Sequence, residues 1–234
     1  MFVAETQWLA RALAERRAEE ISPLLNLGSS TRAFREKEQP WTEKLLFAPL
    51  RARGVNIVHL DAREGEGIDL RADILADADL PRIRGTGARA ILCCNILEHV
   101  RDPVKLAARC AEIAGPGGLI FVTVPFSYPR HRDPIDTMYR PGPEELRRLF
   151  LGADMLNGEI IDTGESYRGQ VKRRPWILLR HLLRLPFPFV GFEDWRHSMR
   201  KTYWLIHNYR VTCAVFRVRA READALTAGP PGPS

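Results

Sequence analysis

The chain has 234 residues, a formal net charge of +6, 45% hydrophobic residues and 27% charged residues. This length and composition fit one α/β domain with an added segment and a sizeable core. Residues 1–20 mix acidic and basic side chains without the apolar region of a signal peptide, and no run is long enough to cross a bilayer. These features argue against a secreted or membrane-spanning protein, and we expect a cytoplasmic one.

The first half of the chain alternates predicted helices and strands. Apolar residues at helical spacing, among them Trp8 and Leu9, predict an amphipathic helix over residues 3–20. A second helix over residues 41–53 is expected to kink at Pro49. Strands are predicted, in chain order, over residues 24–27, 55–60, 68–71 and 90–94.

The second half continues the alternation. Asp102 as N-cap and Pro103 at the first helical position predict a helix to residue 114, which the glycine-rich turn at 115–118 ends. Strands are then predicted over residues 119–124, 159–162 and 209–219. The last of these alternates strongly and is expected to be antiparallel. Alternating strands and helices predict a mostly parallel sheet with helices on both faces, which binds ligands at the carboxyl ends of its strands.

The same pattern predicts the domain organisation. Residues 1–219 form one domain, with an insertion over 165–207 that is rich in Arg, Trp, Leu and Phe. Residues 220–234 end in Ala-Gly-Pro-Pro-Gly-Pro-Ser and are expected to be disordered. The cysteines have no metal-ligand spacing, and Cys93 and Cys94 lie in a predicted buried strand, where cysteine acts as a small apolar residue. We therefore expect structural cysteines and no metal site.

Residues 24–31, which read Leu-Leu-Asn-Leu-Gly-Ser-Ser-Thr, are the most informative stretch. Apolar residues lead into Gly28 and three small residues, as where a buried strand ends in a tight turn that lets a ligand approach the backbone. Asp61 closes the next strand, and Asp73 follows a short loop later. An acidic residue in the position of Asp61 can accept hydrogen bonds from two ribose hydroxyls.

Four motifs together resemble the class I S-adenosylmethionine (SAM)-dependent methyltransferases, and in particular their small bacterial methyltransferase-11-like branch. They are the loop at 24–31, Leu-Glu-His-Val at 97–100, Gly-Pro-Gly-Gly at 115–118, and Val-Pro-x-x-Tyr-Pro-x-His at 124–131. The resemblance covers roughly residues 20–165. It implies SAM as cofactor and a Rossmann-like fold, with a mostly parallel seven-stranded sheet, helices on both faces and a helical insertion before the last strand.

The resemblance also implies a cofactor site at the ends of the first four strands. The first strand and its loop would contribute four residues: Asn26, Gly28, Ser29 and Ser30. Asp61 would hold the ribose, Asp73 the adenine, and Asn95 the amino-acid end of the cofactor. Structural alternatives remain for the last three: a solvated side chain for Asp61, a helix N-cap for Asp73 and a turn residue for Asn95.

Residues 124–140 place many titratable side chains on one proline-stiffened loop, which is typical of a substrate site at a ligand-binding edge. His131 is the first choice for a general base that takes a proton from a hydroxyl acceptor, and Asp136 is the second. The resemblance places His99 at the floor of the same site, and Glu98 is assigned a structural role. The predicted substrate-binding residues are Tyr128, Asp133, Tyr139 and Arg140, the last for a carboxylate or phosphate. The alternatives are a salt-bridged loop that closes the domain and a His99 that fixes a loop.

Within the insertion, residues 168–201 carry most of the excess positive charge. If residues 172–186 are helical, one flank is basic and the other apolar: Arg173, Arg180 and Arg184 against Trp176, Leu179, Leu182 and Leu183. The first interpretation is a lid or homodimer helix whose apolar side packs on protein. The alternative is contact, through residues 172–204, with anionic lipid or a lipid-linked substrate at the inner face of the membrane.

We interpret the chain as a SAM-dependent methyltransferase for a small-molecule or glycan acceptor, at a hydroxyl; the acceptor class comes from the resemblance alone. A non-catalytic binding or scaffold subunit is the first alternative, because Asn26 and Ser30 stand where many members have an acidic residue and a glycine. An RNA methyltransferase is the second, motivated by the basic insertion. Nucleic acid is not an expected partner, because no added RNA-binding module or amine-methylating motif is present. A nicotinamide-dependent oxidoreductase is disfavoured because Gly-Ser-Ser-Thr lacks the full Gly-x-Gly-x-x-Gly turn.

Overall fold

The computed structural model describes residues 1–131, 135–184, 189 and 192–220. Its helices are α1 (Val3–Ala14), α2 (Ala18–Ile21), α3 (Pro40–Thr42), α4 (Ala48–Ala52), α5 (Leu80–Arg84), α6 (Pro103–Ala114), α7 (Pro143–Leu149), α8 (Tyr167–Arg173), α9 (Trp176–Arg184) and α10 (Phe192–Lys201). Its strands are β1 (Leu24–Leu27), β2 (Ile57–Asp61), β3 (Leu70–Arg71), β4 (Ala90–Cys94), β5 (Leu119–Ser127), β6 (Ala153–Asp162) and β7 (Arg210–Val218). Asp133 and the predicted disordered tail from residue 221 onward lie outside the described residues.

The described strands form one seven-stranded sheet in the order β3-β2-β1-β4-β5-β7-β6. Every pairing among β1 to β5 is parallel, and β7 runs antiparallel to both of its neighbours, β5 and β6. The predicted Rossmann-like, mostly parallel sheet is therefore confirmed, as is its antiparallel last strand. Helices α8, α9 and α10 lie between β6 and β7 in the chain, where the insertion was expected.

Alternation along the strands divides the core between the two faces of the sheet. In β1, Leu24 packs with α1 and with the helical segment 40–52, whereas Leu25 and Leu27 pack with α5, α6 and α7 on the opposite face. Because this central strand is covered on both faces, all of its residues are buried and its sequence is an almost continuous apolar run.

The predicted helix over residues 3–20 is interrupted after Ala14. At that point the Arg53 side chain donates to the backbone carbonyl oxygens of Leu13 and Arg16. These carbonyls belong to the last turn of α1 and the residues that follow it, where helical partners run out. The end of α1 is thus stabilised by a side chain that is distant in sequence, and the local sequence pattern does not indicate where the helix ends.

Other boundaries shift for reasons of pairing. Pro49 lies in the first turn of α4, directly after a π-helical turn over Glu43–Phe47 that interrupts the regular α-helical hydrogen bonding. Strand β5 runs on to Ser127 because β7 pairs with it as far as Arg210. Strand β6 begins at Ala153, earlier than predicted. The sequence did not reveal its first residues because β6 is an edge strand whose exposed side chains lack apolar alternation.

The carboxyl ends of the parallel strands define one edge of the sheet, which we call the carboxyl edge. Gly28 follows β1, Asp61 closes β2, Asn95 follows β4, and residues 128–131 and 135–140 follow β5. Because β2, β1, β4 and β5 are neighbours in the sheet, these segments meet along the same edge. Among the described residues, no helix has both the length and the apolar character needed to cross a membrane.

Candidate functional site

The loop after β1 is held in a fixed conformation by a buried arginine. Gly28 has φ +59° and Ser30 has φ +55°, both in the left-handed region. The guanidinium of Arg35 donates to the carbonyl oxygens of Ser29 and Ser30, at 3.1 and 2.6 Å, and to that of Gly67 at 2.8 Å. A Cβ atom built on Gly28 would lie 3.3 Å from the Ile96 side chain, so this position has little room for a larger residue.

Asp61 is a buried carboxylate beside this loop. Only 5% of the residue is exposed, which is inconsistent with the solvated alternative. Its Oδ2 accepts a hydrogen bond from the backbone N–H of Ser30, and its Oδ1 accepts one from the backbone N–H of Arg63, both at 2.9 Å. Nε of Arg63 lies 3.6 Å from Oδ1, too far for a hydrogen bond. A carboxylate has about four acceptor positions, and hydrogen bonds from the described residues use two of those on Asp61.

Two of the predicted cofactor residues make other contacts. The Asn26 amide donates to Nδ1 of His59, at 3.1 Å, on the face of the sheet that the helical segment 40–52 covers. Burial lowers the pKa of His59 to about 4, so the ring is neutral and Nδ1 can accept. Asp73 is exposed and its Oδ1 accepts the Leu75 amide at 2.9 Å, in a turn that precedes α5 rather than as its N-cap.

Asn95 stands at the end of β4 with φ +52°, and a residue that sequence reasoning missed holds it there. The Asn95 amide donates to Oε1 of Glu5, in α1, at 2.7 Å. The Thr123 hydroxyl donates to the same oxygen, and the Phe2 amide donates to Oε2 at 3.0 Å. Glu5 is fully buried, so α1 supplies part of the carboxyl edge. In the sequence, the inward orientation of Glu5 is indicated only by its position one helical turn before Trp8, on the apolar face of the predicted helix.

The Leu-Glu-His-Val motif and the loop after β5 meet at this edge. The imidazole rings of His99 and His131 lie edge to face with centroids 5.0 Å apart, and the Tyr128 ring lies 5.7 Å from that of His131. Glu98 is 1% exposed, and burial raises the pKa of its carboxyl to about 7. Tyr128 also packs against Phe2, which brings the start of α1 to the loop after β5.

Asp136 makes more side-chain contacts than any other predicted site residue in the described part of the loop after β5. Its Oδ2 lies 2.6 Å from the Arg140 guanidinium and 2.9 Å from Nδ1 of His131, and its Oδ1 accepts the Met138 amide at 2.8 Å. Burial alone would raise the pKa of Asp136, but the Arg140 hydrogen bond and the amides of His131 and Met138 lower it to about 2. Burial lowers the pKa of His131, against the opposing effect of Asp136.

The structure therefore brings most of the predicted residues to one edge and separates a few. The predicted cofactor side of this edge contains Gly28, Ser29, Ser30, Asp61 and Asn95, and the predicted acceptor side contains His99, Tyr128, His131, Asp136, Tyr139 and Arg140. The Asn26 side chain is bonded within the sheet, Asp73 is exposed, and Asp133 lies outside the described residues. Arg140, predicted to hold an anionic group of the substrate, is bonded to Asp136 in this structure.

The insertion carries an exposed apolar stripe. In α9, Trp176, Leu179 and Leu183 lie at i, i+3 and i+7, and each is more than half exposed. Phe192, in α10, and Ile206, which follows it, are also exposed. Residues 168–201 contain nine Lys or Arg and two acidic residues, a net charge of +7 against +6 for the whole chain.

No protein-family model matches the chain. Over 129 residues, or 54% of this chain, it is 25% identical to the ubiquinone biosynthesis O-methyltransferase of Xanthomonas campestris pv. campestris strain B100. The protein of strain 8004 gives the same identity and coverage. The matched region is 48% of those proteins, so the chain spans about half the length of the curated relatives it matches.

A solved structure matches nearly the whole chain. A candidate sarcosine dimethylglycine methyltransferase from Galdieria sulphuraria superimposes with a TM-score of 0.53 at 15% sequence identity, covering 92% of this chain and 85% of that one. At this identity the likeness concerns the fold. Together with the strand order and the sequence similarity to an O-methyltransferase, it confirms the resemblance seen in the motifs: the chain has the fold of the class I SAM-dependent methyltransferases.

Proposed function

We propose that the chain is a SAM-dependent methyltransferase that methylates a hydroxyl of a small-molecule or glycan acceptor. One observation carries the proposal: on a methyltransferase fold, a buried carboxylate beside a glycine turn and a pair of histidines share the carboxyl edge. The sequence similarity to an O-methyltransferase supports a hydroxyl as the methylated group.

The residues around the first loop fit the cofactor. Asp61 keeps two acceptor positions, which matches the two hydroxyls of a ribose. Gly28, with φ +59° and no side chain, allows close approach to the backbone. Asn95 is held by Glu5 and offers its backbone carbonyl near the amino-acid end. When bound, SAM supplies a methyl group on an activated sulfonium, and the protein then has to align the acceptor and exclude water.

His131 is the proposed general base for the acceptor hydroxyl. Its lowered pKa leaves the ring neutral near pH 7, so Nε2 can accept a proton. Asp136 is a poor second choice, because a carboxyl with a pKa of about 2 holds a proton too weakly. Its position at 2.9 Å from Nδ1 supports a role in orienting the His131 ring. His99 is the alternative base, because its imidazole ring lies 5.0 Å from that of His131.

The insertion is proposed to contact an anionic membrane surface. The apolar stripe of α9 is exposed rather than covered by the domain, which favours this partner over a lid packed on the protein. The excess of basic residues over 168–201 complements anionic head groups. A second copy of the chain covering the same stripe is the competing outcome, which sedimentation of the protein without lipid would reveal as a dimer.

The activity is tested by S-adenosylhomocysteine release from SAM with a panel of phenolic, hydroxylated quinol and sugar acceptors. The His131→Ala variant should lower turnover by roughly 100- to 10,000-fold while SAM affinity is retained. The exposed His207 offers a matched control, and His207→Ala should leave turnover unchanged. Tight SAM binding without turnover on any acceptor would favour the scaffold alternative, and turnover on RNA alone would favour the nucleic-acid alternative.

A further inference from the structure

Three side chains at the carboxyl edge form a cluster that the proposed methyl transfer uses only in part. They are Glu98 and His99, which follow β4, and His131 in the loop after β5. One carboxylate oxygen of Glu98 and one ring nitrogen of each histidine all lie within 4.8 Å of one another. Nε2 of His99 is 3.8 Å from Oε1 of Glu98.

The hydrogen bonds of the two histidines determine which nitrogen can accept. Nδ1 of His99 contacts the backbone carbonyl oxygen of Ile135, and a carbonyl oxygen can only accept, so Nδ1 carries the proton and Nε2 has a free lone pair. Nδ1 of His131 lies 2.9 Å from Oδ2 of the ionised Asp136 without hydrogen-bond geometry, and the nearby negative charge favours a proton on Nδ1 and hence the same tautomer. Metal-binding histidines have this arrangement, in which the outer ring nitrogen faces a carbonyl or a carboxylate.

Glu98 supplies the second, independent observation. Its side chain is 1% exposed, Oε1 is the oxygen that lies 3.8 Å from His99, and the other oxygen, Oε2, has no hydrogen-bond partner among the described residues. Burying a carboxylate with so few donors is costly, and a cation held at this carboxylate would offset that cost. The sequence prediction of no metal site rested on cysteine spacing and did not consider this carboxylate.

We propose that Glu98, His99 and His131 bind a divalent metal ion of the zinc class. Two imidazoles and one carboxylate form a ligand set typical of catalytic zinc sites, which keep a further position open. The histidine side chains are 22% and 30% exposed, so the open position faces the acceptor side of the carboxyl edge. Ligand atoms about 2.1 Å from an ion in tetrahedral geometry lie about 3.4 Å apart, so the three ligand atoms, which lie within 4.8 Å of one another here, would come closer together on binding.

Metal binding and proton abstraction use the same lone pair on Nε2 of His131, so the two states exclude each other. In the metal-free protein His131 can act as the general base, whereas in the metal-bound protein its Nε2 lone pair is occupied by the ion. The metal site therefore goes beyond the proposed methyl transfer, and it is tested by binding alone. An inactive protein that binds zinc would disprove the proposed function and leave this inference standing.

The experiment titrates the full metal-free chain with Zn²⁺ by calorimetry, with Co²⁺ absorption as a second readout of coordination. The wild type should bind one ion. Glu98→Gln and His131→Gln should each weaken binding by about 100-fold or more, and Asp136→Asn by about 10- to 100-fold through loss of the negative charge beside Nδ1 of His131. The control His207→Gln alters an exposed histidine outside the cluster and should bind as the wild type does.

Thermal unfolding without metal checks that each variant is folded. If Glu98→Gln does not fold, the partly exposed His131 decides the question alone. The proposal is overturned if the wild type binds no Zn²⁺, or if His131→Gln binds as tightly as the wild type. It is also overturned if His207→Gln loses as much affinity as the cluster variants.

Discussion

Replacing Glu5 by glutamine tests whether α1 is part of the carboxyl edge. Three donors converge on the two oxygens of this buried carboxylate: the amide of Asn95, the hydroxyl of Thr123 and the backbone N–H of Phe2. A glutamine has one oxygen and one NH₂ group, so in either orientation its nitrogen must face a donor. At least one hydrogen bond to a charged group is lost, which costs about 1.5–3 kcal/mol.

For a chain of this size, that loss should lower the melting temperature by about 3–12 °C. Glu15→Gln is the matched control, because Glu15 is an exposed residue at the C-terminal end of the same helix, and it should change stability by less than about 0.5 kcal/mol. Urea unfolding of both variants gives the comparison. Equal stabilities of Glu5→Gln and Glu15→Gln would show that the buried carboxylate does not hold the edge together.

Further predictions concern the acceptor side and the insertion. In the presence of a chelator, turnover should fall at low pH with a midpoint below about 6.5, because burial lowers the pKa of His131; a profile that stays flat through this range would remove the imidazole as base. Asp136→Asn should lower turnover by roughly tenfold with SAM affinity unchanged, since the ring loses its orienting carboxylate, and an unaffected rate would argue against that role. Trp176→Ser combined with Leu179→Ser should abolish co-sedimentation with phosphatidylglycerol vesicles, whereas Leu151→Ser, an exposed leucine outside the insertion, should retain it. Equal binding of all these proteins to lipid would contradict the membrane contact.

The fold could be predicted because its signals are local. Apolar runs ending at Gly28 and Asp61 identify the strand ends, and the N-cap that Asp102 forms with the Lys105 amide identifies the start of α6. Parallel strands then place these ends at one edge without any knowledge of side-chain contacts. The length of β6 was missed because an edge strand has no apolar alternation to reveal it.

The site was predicted less completely because its contacts are distant in sequence. Glu5 and Asn95 are separated by 90 residues, and only the helical spacing of Glu5 from Trp8 indicated that this glutamate faces inward. The pairing of Asp136 with Arg140 changes the expected role of both, since Oδ2 of Asp136 already accepts a hydrogen bond from the Arg140 guanidinium. Sequence spacing predicts which residues belong to a loop, but it does not predict their hydrogen-bond partners, because these depend on the folded conformation of the loop.

The central claim is that the cofactor binds at the turn after β1 with its ribose on Asp61. Calorimetric titration of the wild type and of Asp61→Ala with S-adenosylhomocysteine tests it most directly, with Glu64→Ala as a control on an exposed acidic residue of the loop that follows β2. The wild type and the control should bind alike, and Asp61→Ala should bind more weakly by about 1.5–3 kcal/mol, or roughly 10- to 150-fold in Kd. A folded Asp61→Ala protein with wild-type affinity, or a wild type that binds neither S-adenosylhomocysteine nor SAM, would contradict the account.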